Sequence, residues 1–108
     1  DGDAPSRLDV ILYDDLSLLR VARETEDARI MRWIDDLTEE DLEGRFTYTA
    51  IVDIRTISQR LSPALSHFFN HQTHHRGQAS TILTGFGEAA PTMDLIYFQR
   101  TEGGRKFA

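Results

Sequence analysis

All four histidines of this 108-residue chain lie between positions 67 and 75: His67, His71, His74 and His75, inside the run HFFNHQTHHRGQ. A neutral imidazole is both a metal ligand and a proton carrier near neutral pH, so such a concentration is the chemistry to explain first. If the run is helical, each residue advances about 100°, and His71 and His75 project from one face a single turn apart. That is the spacing two imidazoles need to reach one ion. On the same wheel Leu61, Ala64, Phe68, Ala79, Ile82 and Phe86 define an inward face, with His71 and His75 in its middle and Gln78 beside them. His67 lies at the edge of that face and His74 further toward solvent.

Two readings of the pair stand side by side. One is metal ligation, with Gln78 holding a ligand ring or anchoring a water. The other is a set of boundary histidines satisfied by hydrogen bonds, weighed against the cost of burying two imidazoles without a use for them. No glutamate follows His71, so the HExxH zinc-protease pattern is absent. The chain has no cysteine, which removes thiolate ligands, disulfides and cysteine nucleophiles. There is no glycine-rich phosphate loop and no GxSxG, and nothing marks Ser66 as a nucleophile. Any metal must be held by histidine and carboxylate.

Several elements must position these residues. Leu16, Leu19, Ile30, Trp33, Ile34 and Leu37 recur at helical spacing and predict a long helix over 14–37, with Asp14 and Asp15 at its positive end. Its stripe is interrupted by Arg23, Glu26 and Asp27, either a carboxylate ligand source or, as we favour, an ion pair with Arg23. Thr38 to Asp41 reads as a capping box opening a one-turn helix that Gly44 closes. The β-rich stretch 45–58 reads as two short strands, consistent with a hairpin turning near Val52 and Asp53. Ser62 and Pro63 predict the N-cap and first residue of a second long helix, ending near Leu83 or Thr84 at Gly85 and Gly87. Gly77, in mid-helix, suggests close approach by another segment or subunit. Thr92 is expected to cap a short helix reaching Phe98. Trp33, Phe68, Phe69 and Phe86 read as core, and Tyr48 as an exposed strand residue. Residues 1–9 read as a leader and 101–108 as a flexible tail.

Length and composition bound the function. One domain's worth of chain with 40% hydrophobic and 28% charged residues is globular material. A formal charge of −6 argues against nucleic-acid binding, and no apolar run approaches the roughly 20 residues of a membrane span. The absence of cysteine fits a cytoplasmic protein. Asp1 in place of an initiator Met suggests that the N-terminus has been removed, so no signal peptide can be read.

The run HFFNHQTHHRGQASTILTGFGEAAPTMDLIYF resembles the C-terminal signature of the DinB/YfiT-like (damage-inducible) family. The upstream segment LDVILYDDLSLLRVARETEDARIMRWIDDLTEEDLEGRFTYT is similar to the preceding helix and connection, so the resemblance spans roughly residues 8–98. It implies an all-α fold, a four-helix bundle represented here by its C-terminal half. That half would be a single truncated domain over 1–108 with two long helices, a short helix, a small β-rich segment and a short C-terminal helix. The family binds a divalent ion, often Ni2+ or Zn2+, through three histidines, and its H-x-x-x-H pair falls on His71 and His75. The family's third histidine comes from the bundle's second helix, and this sequence has no histidine before His67. The resemblance therefore implies that the first two helices are missing and that metal binding is weak, with His67 or a carboxylate as substitute ligand. Uncovered apolar surface would favour a homodimer, association with the missing half, or instability. For the full-length protein it implies a metal-dependent thiol S-transferase or hydrolase acting on a low-molecular-weight thiol and an electrophilic small molecule, the fragment itself being inactive. The alternatives are a non-catalytic stress-response or dimerisation module with a structural or vestigial metal site, and a plain helical scaffold. The family name implies induction by DNA damage rather than DNA binding.

Overall fold

A computed structural model describes residue 5 and residues 7–108, so the leader expected over 1–9 falls in large part outside the described residues. The chain divides into two units, Asp1–Ala64 and Leu65–Ala108.

The first unit opens with α1 (Leu16–Asp35), two residues shorter at each end than the periodicity predicts. Asp15 is its N-cap: the carboxylate accepts from the Leu18 N–H at 2.9 Å and supplies one of the partners that a helix start lacks. Within α1 the polar interruption resolves into local ion pairs. Arg23 Nε donates to Asp27 at 3.1 Å, and Arg29 Nε donates to Glu26 at 2.8 Å. These are the neighbours that three- and four-residue spacing brings together. The guanidinium of Arg29 holds the Glu26 carboxyl below its ordinary range.

Helix α2 (Glu39–Glu43) carries the expected capping box. The Asp41 N–H donates to Thr38 Oγ1 at 3.2 Å, and the Thr38 N–H donates to the Asp41 carboxylate at 2.9 Å. That hydroxyl and backbone contact also lowers the Asp41 pKa. Gly44 ends the helix in an extended conformation, where a Cβ would meet the Asp41 carbonyl at 3.0 Å.

Strands β1 (Arg45–Thr49) and β2 (Thr56–Arg60) form one antiparallel hairpin in register Arg45 opposite Arg60 and Thr49 opposite Thr56. Aromatic and β-branched residues fit this pleated surface. Phe46 and Tyr48 share a face and stack with centroids 5.3 Å apart. The opposed arginines at the open end would repel, but each has another partner. Arg60 Nη1 reaches Glu43 at 3.0 Å, and Arg45 Nη2 donates to the Ser58 carbonyl at 2.6 Å. The turn occupies 51–54, and Ile54 closes it at φ 52°, a left-handed conformation that crowds a β-branched side chain.

Helix α3 (Leu61–Gly85) follows β2 without a spacer. Ser62 and Pro63 are therefore its second and third residues rather than its cap and first, and Pro63 still sits in the turn where a missing N–H costs nothing. The Leu61 N–H donates to the Gly44 carbonyl at 2.9 Å, so a partner just outside the helix satisfies its first donor.

In the second unit α3 ends where the glycines predict. The Gly87 N–H donates to the Thr84 carbonyl and the Glu88 N–H to that of Leu83, each at 3.0 Å, with Gly87 at φ 79°. This paired closure needs a left-handed residue, which glycine supplies without strain. The short C-terminal helix is α4 (Leu95–Gln99), and its N-cap is Asp94, not Thr92. Residues 105–107 form a 3₁₀ turn beside it: Phe107 stacks on Phe98 at 6.1 Å, and Gln99 Nε2 donates to the Phe107 carbonyl at 2.6 Å. Gly104 is required there, because a Cβ would stand 1.9 Å from the Phe98 carbonyl oxygen.

The all-α four-helix-bundle expectation is overturned. Among the described residues only α1 and α3 exceed five residues, and a two-stranded antiparallel sheet lies between them in the chain. Thr- and aromatic-rich sequence takes the β conformation over 45–60, and α2 and α4 are too short to serve as bundle helices. The expected core is also absent: no apolar side chain is buried among the described residues. Trp33 is 43% exposed, Phe68 39% and Phe86 81%, because amphipathic helices bury their stripes only against another element. No described helix is long and apolar enough to cross a membrane. Around Gly77, among the described residues, no other segment comes within 4 Å of where a Cβ would stand.

Two substitutions test this description. Replacing Ile54 by Asn should relieve the left-handed turn and stabilise the hairpin by about 1 kcal/mol, read as a higher urea midpoint. An unchanged or lower midpoint would show that position 54 is not held left-handed. Gly104→Ala should separate the Phe98 and Phe107 rings, and persistence of their mutual nuclear Overhauser contacts would refute the close approach.

Candidate metal centre

The four-residue ladder of α3 brings the histidines and Gln78 onto one stripe. His71 Nε2 and His75 Nε2 lie 2.9 Å apart, with the two rings edge to face at 87°. On its other side His75 Nδ1 meets Gln78 Oε1 at 2.8 Å. His67 stacks on His71 at 5.5 Å, and His74 lies 5.9 Å from His71 and 5.3 Å from His75. All five side chains belong to one helix, and all are exposed.

An amide oxygen can only accept, so the Gln78 contact suits a hydrogen on His75 Nδ1. The contact between the two Nε2 atoms takes one hydrogen, on either ring. Neighbouring rings strip part of the water from His71, and the charges that His75, His67 and His74 would carry add repulsion. Together these lower its pKa from the ordinary 6.5.

Whether the pair suits a metal ion follows from the nitrogen spacing. Metal–imidazole bonds are about 2.1 Å. Two nitrogens 2.9 Å apart at that bond length subtend roughly a right angle at the ion, which suits a six-coordinate site. A tetrahedral ion would need the nitrogens to part to about 3.4 Å, a small rotation of exposed rings. The donor set therefore fits a divalent ion as two ligands of one turn. Among the described residues no third histidine or carboxylate completes a ligand group with them. Glu26 and Asp27 are engaged by Arg29 and Arg23.

The model of the DinB family matches residues 5–106. The chain belongs to the DinB family. That match takes in both long helices, the hairpin and the histidine stripe, a wider span than the motifs alone mark out. No curated protein and no solved structure matches this DinB-family chain. The structure brings together the four histidines and Gln78, with His71, His75 and Gln78 in direct contact and His67 and His74 beside them, while Glu26 and Asp27 stay paired with arginines. The amide–imidazole contact is the feature that sequence leaves weakest, since a glutamine one turn beyond a histidine is also an ordinary surface residue.

A lowered imidazole pKa means that the folded chain favours neutral His71. Its share of stability is intact above 6.5 and declines as the pH falls below that value, where the unfolded chain takes up the proton first. In a proton NMR titration of the metal-free chain the His71 ring should titrate below 6.5. A midpoint at or above that value would contradict the crowded, partly dehydrated environment described here.

Proposed function

We propose that this DinB-family chain binds a divalent metal ion, Ni2+ or Zn2+, through His71 Nε2 and His75 Nε2. The 2.9 Å approach of those two nitrogens carries the reading, because their spacing on α3 already matches two adjacent positions of a metal site. Ni2+ is the better fit to the near-right angle. With two protein ligands on an exposed stripe, the remaining positions are left to water and small molecules. A bound divalent ion would supply Lewis acidity, lowering the pKa of a thiol and polarising an electrophile. The chain's own residues hold and orient: His71 and His75 would each supply an Nε2 lone pair, the hydrogen shared between them in the metal-free chain moving to Nδ1 of its ring or to water as the ion binds. His67 and His74 stand close enough to carry protons to and from the site. This arrangement suits transfer of a low-molecular-weight thiol to an electrophilic small molecule.

A second reading, a non-catalytic association module, draws on the exposed apolar side chains. In the second unit Ile82, Leu95 and Ile96 are each at least 60% exposed and would gain from a partner surface. We place a second copy of the chain there, giving a homodimer.

Metal titration separates these ideas. Ni2+ added to the purified chain should bind stoichiometrically by calorimetry, and His71→Ala or His75→Ala should each reduce binding to background, while His67→Ala should have a smaller effect. Stoichiometric binding that survives both ligand substitutions would overturn the site. Turnover of an electrophile with bacillithiol, mycothiol or glutathione by the metal-loaded protein supports the enzyme reading. Metal binding without turnover leaves the association module. Light scattering should give the mass of two chains, and a monomer at micromolar concentration would reject the homodimer.

A further inference from the structure

We propose that Gln78 is a positioning residue that sets the tautomer of His75 and so makes its Nε2 available to a ligand. Free neutral histidine prefers its proton on Nε2. That form would point a hydrogen at His71, where the site needs a lone pair. In the structure Gln78 Oε1 stands 2.8 Å from His75 Nδ1, and His75 Nε2 stands 2.9 Å from His71 Nε2. An acceptor at the first position draws the proton to Nδ1 and bares Nε2 at the second. The hydrogen bonds thus run in one direction, from His71 through His75 to Gln78. The spacing makes this a property of one helical face: Gln78 is three residues beyond His75 and His71 four before it, so all three meet with no help from another segment. Outer partners of ligating imidazoles fix ring orientation and raise basicity, and their loss costs roughly 10- to 100-fold in metal affinity.

The assignment rests on the metal reading only for its affinity arm, and the tautomer arm stands without it. Long-range 15N–1H spectra of the metal-free chain should show His75 as the Nδ1–H form. In Gln78→Leu, which removes the acceptor at similar size, His75 should move to the Nε2–H form, and Ni2+ affinity should fall by about tenfold. Gln78→Glu keeps an acceptor oxygen in place and should restore the Nδ1–H form. If His75 keeps the same tautomer in Gln78→Leu as in the parent chain, the inference is overturned, whatever the metal does. If the tautomer responds as described but the parent chain takes up no Ni2+, the positioning role holds and the metal reading falls.

Discussion

The recurrence of backbone hydrogen bonds every four residues along α3 is the constraint on which the rest of this molecule's chemistry depends. It places positions 67, 71, 74, 75 and 78 on one stripe and brings two ring nitrogens to 2.9 Å without any second element. Most multi-ligand sites are assembled from distant parts of a chain, so their geometry is hostage to tertiary packing. Here the two candidate ligands and the amide beside them are placed by local structure. Such a site needs only the helix to be formed, and it offers little of the enclosure that raises affinity.

That locality also explains why the histidine stripe and the individual elements were legible in the sequence and the fold class and core were not. The histidine spacing, the Thr38–Asp41 capping box and the Gly87 helix stop are each statements about residues within a turn or two, where backbone geometry leaves few alternatives. The Arg23–Asp27 pair belongs to the same class. The core was misjudged for the complementary reason. Trp33, Phe68 and Phe86 carry the right periodicity, but periodicity reports which face is apolar and says nothing about what covers it. Helix boundaries moved by one or two residues, at Ser62 and at Asp94, where strand and turn hydrogen bonds compete with the cap. The hairpin over 45–60 was legible from its aromatic and β-branched residues, whereas the all-α bundle class rested on a fold-level analogy and not on those residues.

The left-handed Ile54 had no sequence signal at all. Asp53 precedes it and no glycine follows, so the turn that closes β1 on β2 is made by a residue type that such turns avoid. Strain of this sort is held in place by the pairing on either side. The Ala50 N–H donates to the Arg55 carbonyl at 2.9 Å and continues the ladder to the edge of the turn.

Helix α3 is also an unpromising helix on intrinsic grounds. Asn70, Thr73, Gly77, Ser80, Thr81 and Thr84 all favour it poorly, and the hydroxyls of Thr73, Thr81 and Thr84 turn back on carbonyls one turn earlier. An ion gripped by side chains four apart closes a small ring that only the coiled backbone permits. Occupancy and helix content would thus rise and fall as one equilibrium, a cation reinforcing a run of residues that favour the helix weakly.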